Sequence, residues 1–215
     1  MIFTTPVYTG RVSEARAGTA GEHVFKDGKF WVPLIGLFSG MRLGEIVQLH
    51  RSDLLCVDGV WVFDINRAED AKKKVKTETS LRQVPVHHTL IDLGLLERRE
   101  NNSLGKRLFP DLRPGLNGFY SHNFSKWWSR YGQTFGFRGK KKVFHSFRHL
   151  FTDALRDLEA PDYVLTAILG HSDKSITATY GHGAKLALRQ SYVDRVRFDV
   201  VALNDLIQRE RIGGG

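Results

Sequence analysis

The stretch "WVPLIGLFSGMRLGEIVQL", Trp31 to Leu49, decides the fold class. Its apolar residues Leu34, Ile35, Leu37, Phe38, Met41, Ile46 and Leu49 recur at helical spacing instead of alternating as in a strand. Gly40 interrupts the run where two helices can meet at a tight turn. Just past it, Arg42 stands three residues before Glu45, so one helical turn brings the carboxylate against the guanidinium. In most proteins such a pair is only a surface ion pair.

Downstream, "VWVFDI" (Val60–Ile65) and "RQVPV" (Arg82–Val86) read as strands. The polar stretch between them carries Lys72, Lys73 and Lys74, so a small sheet would present that cluster on a loop or β-turn. Helical periods follow in "HTLIDLGLLERRE" and in "SHNFSKWWSRYGQTF", with Ser121 as the expected cap. Others follow in "SFRHLFTDALRDL", in "PDYVLTAIL" with Pro161 placed for a first turn, in "KLALRQSYVDRV" and in "DVVALNDLIQRER". The predicted fold is mainly α with a small antiparallel β-sheet, an α+β arrangement. Residues 1–30 are rich in Gly, Thr and Ser without a period and read as an irregular lead-in or a linker remnant. Residues 31–212 read as one domain, and Gly213–Gly215 as a flexible tail.

Charge is the informative total. Thirty-two Lys and Arg against twenty-three Asp and Glu give +9, which favours a polyanionic partner through counterion release and long-range steering. The excess is clustered, at Lys72–Lys74 and again at Lys140–Lys142, and neither run lies at a terminus. A single cysteine, Cys56, excludes an internal disulfide and an all-cysteine metal site, and fits a reducing cytoplasm. No run reaches membrane-span length, and the first thirty residues lack a signal-peptide layout.

Three further fragments carry chemistry-bearing side chains. "HSFRH" sets His145 and Arg148 three apart, on one face if the stretch is helical. His171 follows Gly170 at the end of an apolar helix, and Tyr180 lies nine residues beyond it. Singly, each has an ordinary structural reading, as a solvated helix face or a packed tyrosine.

Together, "GMRLGEI", "KTETSLRQVPV", "HSFRHLFTDAL" and "LGHSDKSITATYGH" resemble the catalytic domain of the tyrosine recombinase, or phage integrase, family in order and in spacing. The resemblance runs from about Trp31 to His182. It implies that Arg42 and Arg148 hold a scissile DNA phosphate, that Glu45 supports Arg42, and that Tyr180 is the nucleophile. His145 matches the first histidine of the HxxR motif, and His171 a position that is histidine or tryptophan in the family. Lys76 matches the lysine of the β-hairpin, with Lys72, Lys73 and Lys74 as competing neighbours. The implied function is a site-specific recombinase that cleaves and rejoins DNA through a 3′-phosphotyrosyl intermediate. Its implied partner is double-stranded DNA, bound by a homo-multimer, a tetramer on paired sites, in a bacterial or phage setting within the cytoplasm.

The chemistry suits these residue types. Guanidiniums offer planar forks to a phosphate and stay charged at working pH. Tyrosine, with an ordinary pKa of about 10, needs a base or cationic neighbours before it can attack, and His145 is the candidate base. A mobile lysine suits protonation of the leaving 5′ oxygen. No metal, cofactor or ATP is expected. The sequence offers no ordered carboxylate or Cys/His ligand set and no Walker-type phosphate loop.

One departure stands out. Family members commonly carry a helical core-binding domain ahead of the catalytic one, and only about thirty residues precede the first motif here. That domain is expected to be absent and isolated DNA affinity weak. A type IB topoisomerase shares the chemistry and stays open as an alternative. A catalytically dead DNA-binding domain leaves the full residue set unexplained, and a helical scaffold leaves both the charge and the motifs unexplained.

Overall fold

The chain is described here from a computed structural model covering residues 2–66, 80–101, 103, 105–137, 139, 143–170, 184–200 and 203–208. Helix α1 spans Pro6–Thr9, α2 Gly28–Ser39 and α3 Leu43–Val47; α4 spans His88–Asp92, α5 Leu95–Glu100 and α6 Tyr120–Thr134; α7 spans Ser146–Asp157, α8 Asp162–Leu169 and α9 Leu186–Val193. Strands β1 (Leu54–Val57), β2 (Val60–Ile65) and β3 (Arg82–Pro85) form an antiparallel sheet in sequential order. This is the mainly helical fold with a small sheet that the periodicity predicts.

Helix α2 is the central element, with Phe30, Trp31, Val32, Leu34 and Ile35 fully buried. Asp27 caps it, its Oδ1 accepting from the N–H groups of Lys29 (3.0 Å) and Phe30 (3.2 Å). Gly40 ends it in the left-handed conformation at φ 62°, and α3 begins three residues later, so the two-helix reading of Trp31–Leu49 holds. Helix α7 packs against α2, and an aromatic cluster of Phe124, Trp128, Phe144 and Phe147 joins α6 to α7.

Both expected strands are present, and a third, β1, precedes them. Its turn to β2 is Asp58–Gly59, with φ 49° and 79°, a two-residue hairpin with both central residues left-handed. Two local expectations are corrected. Ser121 lies inside α6 rather than capping it, because the chain turns helical after an extended Phe119 that makes no side-chain cap bond. Pro161 occupies the cap position of α8, immediately before its first turn.

The residues ahead of α2 hold the short helix α1 and pack onto the rest of the chain. Phe3, Val7 and Tyr8 are buried, and the Tyr8 hydroxyl donates to the Phe30 carbonyl at 3.0 Å. Arg11, fully buried, pairs with Asp27 at 2.8 Å, tying the segment to the cap of α2. At the other end, α9 lies on the sheet of its own chain. Arg189 Nη1 donates to the Gln83 carbonyl at 2.5 Å, and Val193 and Val196 are buried. Residues 203–208 are helical, with Leu203 and Leu206 buried. Among the described residues, no helix is long and apolar enough to cross a membrane.

Candidate active site

Arg42 is the residue just before α3, in an extended conformation, and its backbone N–H donates to Glu45 Oε2 at 2.9 Å. Glu45 thus folds back over the first turn, the acidic half of a capping box. The same carboxylate takes the Arg42 side chain, with Nη1 2.7 Å from Oε1. The pair is no surface ion pair, since the Glu45 side chain is only 7% exposed.

A third arginine completes the carboxylate's shell. Arg82, the first residue of β3, donates from Nη1 to Glu45 Oε1 (3.1 Å) and from Nη2 to Oε2 (2.9 Å). Both Glu45 oxygens therefore accept twice, which uses the lone-pair sites a carboxylate has. Burial alone would raise the Glu45 pKa, but the hydrogen bonds and charge of Arg82, with those of Arg42, hold it below the ordinary range.

Arg148, one turn into α7, is 4% exposed and reaches across the core. Its Nη1 donates to the Gly40 carbonyl at 2.8 Å and its Nη2 to the Leu169 carbonyl at 2.6 Å. The three arginines then share one target. Three successive carbonyls at the end of α8 accept from them, Ile168 from Arg82 Nε (2.8 Å), Leu169 from Arg148 and Gly170 from Arg42 Nη2 (3.3 Å). Helix ends leave such carbonyls without intrahelical donors and carry partial negative charge, which favours cations there. Burial, then the charges of Arg42 and Arg82, pushes the Arg148 pKa down to about 10, so it remains a cation at neutral pH.

His145 sits at the start of α7 with its ring at the surface. It meets His149 edge to face, ring centroids 4.9 Å apart. Partial burial, then the neighbouring His149, Arg148 and Arg42, lowers its pKa, so the imidazole is neutral at neutral pH. His145 also borders a groove of about 380 Å³ with Met41, Leu43, Ser125 and Ser129. Ser125 and Ser129 also line a larger groove of about 620 Å³ along α6, with Ser121, His122, Lys126 and Arg130. Hydroxyls and basic side chains thus share the surface that runs away from His145.

Of the residues singled out in the sequence, Arg42, Glu45, Arg148 and His145 come together from the starts of two helices, α3 and α7. Lys76, His171 and Tyr180 lie outside the described residues, as do Lys72–Lys74 and Lys140–Lys142. Gly170, whose carbonyl accepts from the Arg42 guanidinium, directly precedes His171 in sequence. Tyr163, the nearest tyrosine before Tyr180, is 46% exposed on α8. Arg82 and His149 had no role in the sequence reading. Arg82 opens the "RQVPV" strand of a quoted motif, but nothing local marks it as the partner of a carboxylate 37 positions away.

One histidine-rich cluster lies elsewhere. Potential ligand atoms of His87, His88 and Asp194 fall within 4.8 Å of one another. His87 is not open to a metal, however. Its Nδ1 accepts from the Thr89 N–H (3.0 Å), so Nε2 carries the proton and donates to the Val196 carbonyl at 2.9 Å. The cluster fastens the C-terminal segment to α4.

The family model of the phage integrase family matches residues 32–186, most of the chain. This chain belongs to the phage integrase family. The match spans every residue from Arg42 to Tyr180 singled out above. Among solved structures, the chain is similar to the crystal structure of the XerH site-specific recombinase bound to difH substrate, a pre-cleavage complex, at 20% identity and a TM-score of 0.42. That alignment covers 82% of this chain and 44% of the other, so the phage integrase domain here spans less than half the length of that recombinase. No curated protein matches the chain.

Proposed function

We propose that this chain is the catalytic part of a site-specific DNA recombinase, which breaks and rejoins strands through a 3′-phosphotyrosyl intermediate without metal or ATP. The observation that carries the reading is the meeting of Arg42 and Arg148 at the end of α8, with Arg148 on the helix whose cap position His145 holds. Each of these arginines spends one N–H of each terminal nitrogen on protein acceptors, leaving further donors for a phosphate. Arg42 has the more open side chain, at 31% exposure. Two cations held by protein dipoles and aimed at one spot stabilise the charge that gathers on the nonbridging oxygens during displacement.

In this reading Tyr180 attacks the phosphorus, its proton passing to His145. The 3′ side stays on the phenol oxygen, and the 5′ oxygen leaves with a proton from Lys76. A different 5′-hydroxyl reverses the step, so exchange needs no energy source. His171 adds a hydrogen bond to the same phosphate. DNA lies against the +9 surface and along the Ser, Lys and Arg face of α6. Four strand cuts with one tyrosine each make a tetramer on paired sites the working form, acting in the cytoplasm of a bacterial or phage-infected cell. Residues 31–212 form the catalytic domain.

The test is a nicked suicide duplex carrying the junction sequences that flank the gene, with a denaturing gel scoring protein fixed to the 3′ side. Wild type forms the adduct, and Tyr180→Phe, lacking one oxygen, forms none while keeping its DNA affinity. An adduct at the wild-type level in Tyr180→Phe would overturn the assignment. Relaxation of supercoiled plasmid without strand exchange would favour the topoisomerase reading.

A further inference from the structure

Arg82 has the geometry of a residue that never meets the substrate. Its side chain is 5% exposed, and four of its five N–H donors are used, on Glu45 twice, on the Ile168 carbonyl and on the Ser80 carbonyl at 2.8 Å. It lies against the turn after α8 so closely that a Cβ on Gly170 would come within 3.0 Å of Arg82 Cδ. It therefore joins β3, the carboxylate that holds Arg42, and the end of the helix that leads to His171.

We infer that Arg82 is a positioning residue for strand cleavage, which acts through Glu45 and the end of α8 to keep the open edge of Arg42 turned towards the scissile phosphate. The inference rests on the recombinase reading above. The charge arithmetic supports it. Glu45 alone against Arg42 sums to zero, and a carboxylate with one guanidinium partner draws it into a fork-to-fork pair that faces away from substrate. With Arg82 the trio sums to +1, and Arg148 brings the site to +2, a match for the charge of a phosphate in displacement. Arg82 also satisfies both Glu45 oxygens, so that Arg42 keeps one Nη1 bond to the carboxylate instead of two. The depressed Glu45 pKa, with Arg82 its largest lowering cause, agrees with a carboxylate held by this second partner.

The experiment separates positioning from folding and from binding. Full-length Arg82→Gln and Arg82→Lys are compared with wild type for DNA affinity by anisotropy, for single-turnover adduct formation at saturating DNA, and for thermal melting. Arg82→Lys is the variant that keeps a buried charge opposite Glu45. Adduct formation should slow roughly 10²-fold in Arg82→Gln, the scale of a misplaced reacting group, and less in Arg82→Lys. DNA affinity should change less than about 3-fold. In a Glu45→Gln background the further loss from Arg82→Gln should shrink below about 3-fold, because both act on the same guanidinium. Fully multiplying losses, equal losses in affinity and rate, or a folded Arg82→Lys with the wild-type rate would each overturn the inference. A parallel titration with inorganic vanadate, read on the arginine Nε–H NMR signals, keeps the two proposals apart. Wild-type Arg42 and Arg148 signals that ignore vanadate, with no adduct formed, would remove the phosphate site itself. Shifts of both in wild type, with the Arg42 shift lost in Arg82→Gln, would sustain both proposals.

Discussion

Arg148 and Gly40 hold one another in place across 108 positions of sequence. The guanidinium takes the carbonyl that the glycine leaves pointing out of α2, at 2.8 Å, and the glycine leaves no side chain in the way. A Cβ at Gly40 would lie 2.7 Å from Phe151 and 2.9 Å from Leu169, both buried, and its φ of 62° is costly for any other residue. The turn between α2 and α3 therefore sets the height of Arg148 and the starting point of Arg42 together.

Gly40→Ala should accordingly lose stability by about 2–4 kcal/mol, adding left-handed strain to overpacking, and should lose adduct formation beyond what the unfolded fraction explains. Chemical denaturation gives the first quantity and single-turnover cleavage by the folded protein the second. A substitution tolerated within about 0.5 kcal/mol would mean that the turn can relax without cost.

His145 makes a pH prediction whose sign follows from its neighbours. In the proposed mechanism the base is the neutral imidazole, and partial burial with His149, Arg148 and Arg42 lowers its pKa from the ordinary 6.5. Cleavage should hold through that value as pH falls, and decline only below it. Removing the neighbouring imidazole with His149→Ala should raise the pKa and shift the acid limb to higher pH. A limb unmoved by His149→Ala, in rates measured at saturating DNA, would show that some other group titrates.

The sequence disclosed what is local. Arg42 and Glu45 are three apart, so helical spacing was enough to pair them. Strand β2 showed in a run of β-branched and aromatic residues, and β3 in the alternating valines of "RQVPV". Strand β1, "LLCV", is four residues with no alternation, and only the Asp58–Gly59 turn signalled it. The roles of Arg82 and Arg148 within the fold were out of reach. Their acceptors at Ile168, Leu169 and Gly40 lie 86, 21 and 108 positions away, and a main-chain carbonyl leaves no mark in the residue type that bears it. Ser121 misled because a good capping residue one step inside a helix has the same composition as one at its cap.

The α6 groove predicts a salt dependence. Lys126 and Arg130 are one turn apart beside Ser125 and Ser129, so both cations face the same groove. Replacing either with alanine should weaken binding to unrelated duplexes as much as to a cognate site. The slope of log affinity against log salt should fall by about 0.9 for each phosphate that is no longer neutralised. An unchanged slope in the Lys126→Ala, Arg130→Ala double variant would place the DNA elsewhere.

His87 predicts how the fold responds to acid. Burial drives its pKa down to about 4, opposed by its bond to the Val196 carbonyl and helped by His88. In the unfolded chain the same imidazole titrates at about 6.5. Because the folded state prefers the neutral ring, this stabilisation is fully present above about pH 6.5. It drains away as pH falls towards 4, where the folded ring also takes a proton. The whole span corresponds to on the order of 3 kcal/mol. Protonation would also place a charge against the His88 ring and turn Nδ1 from the acceptor of the Thr89 N–H into a donor facing another donor. The first segment to loosen should be the one that His87 fastens, Asp194 to Val196 and the tail beyond, visible as amide exchange rising there before global unfolding. His87→Gln, with an amide that can still serve Thr89 and Val196 but cannot titrate, should flatten the stability curve between pH 6.5 and 4.5. A wild type and variant that lose stability in parallel over that range would assign the acid response to the carboxylates instead.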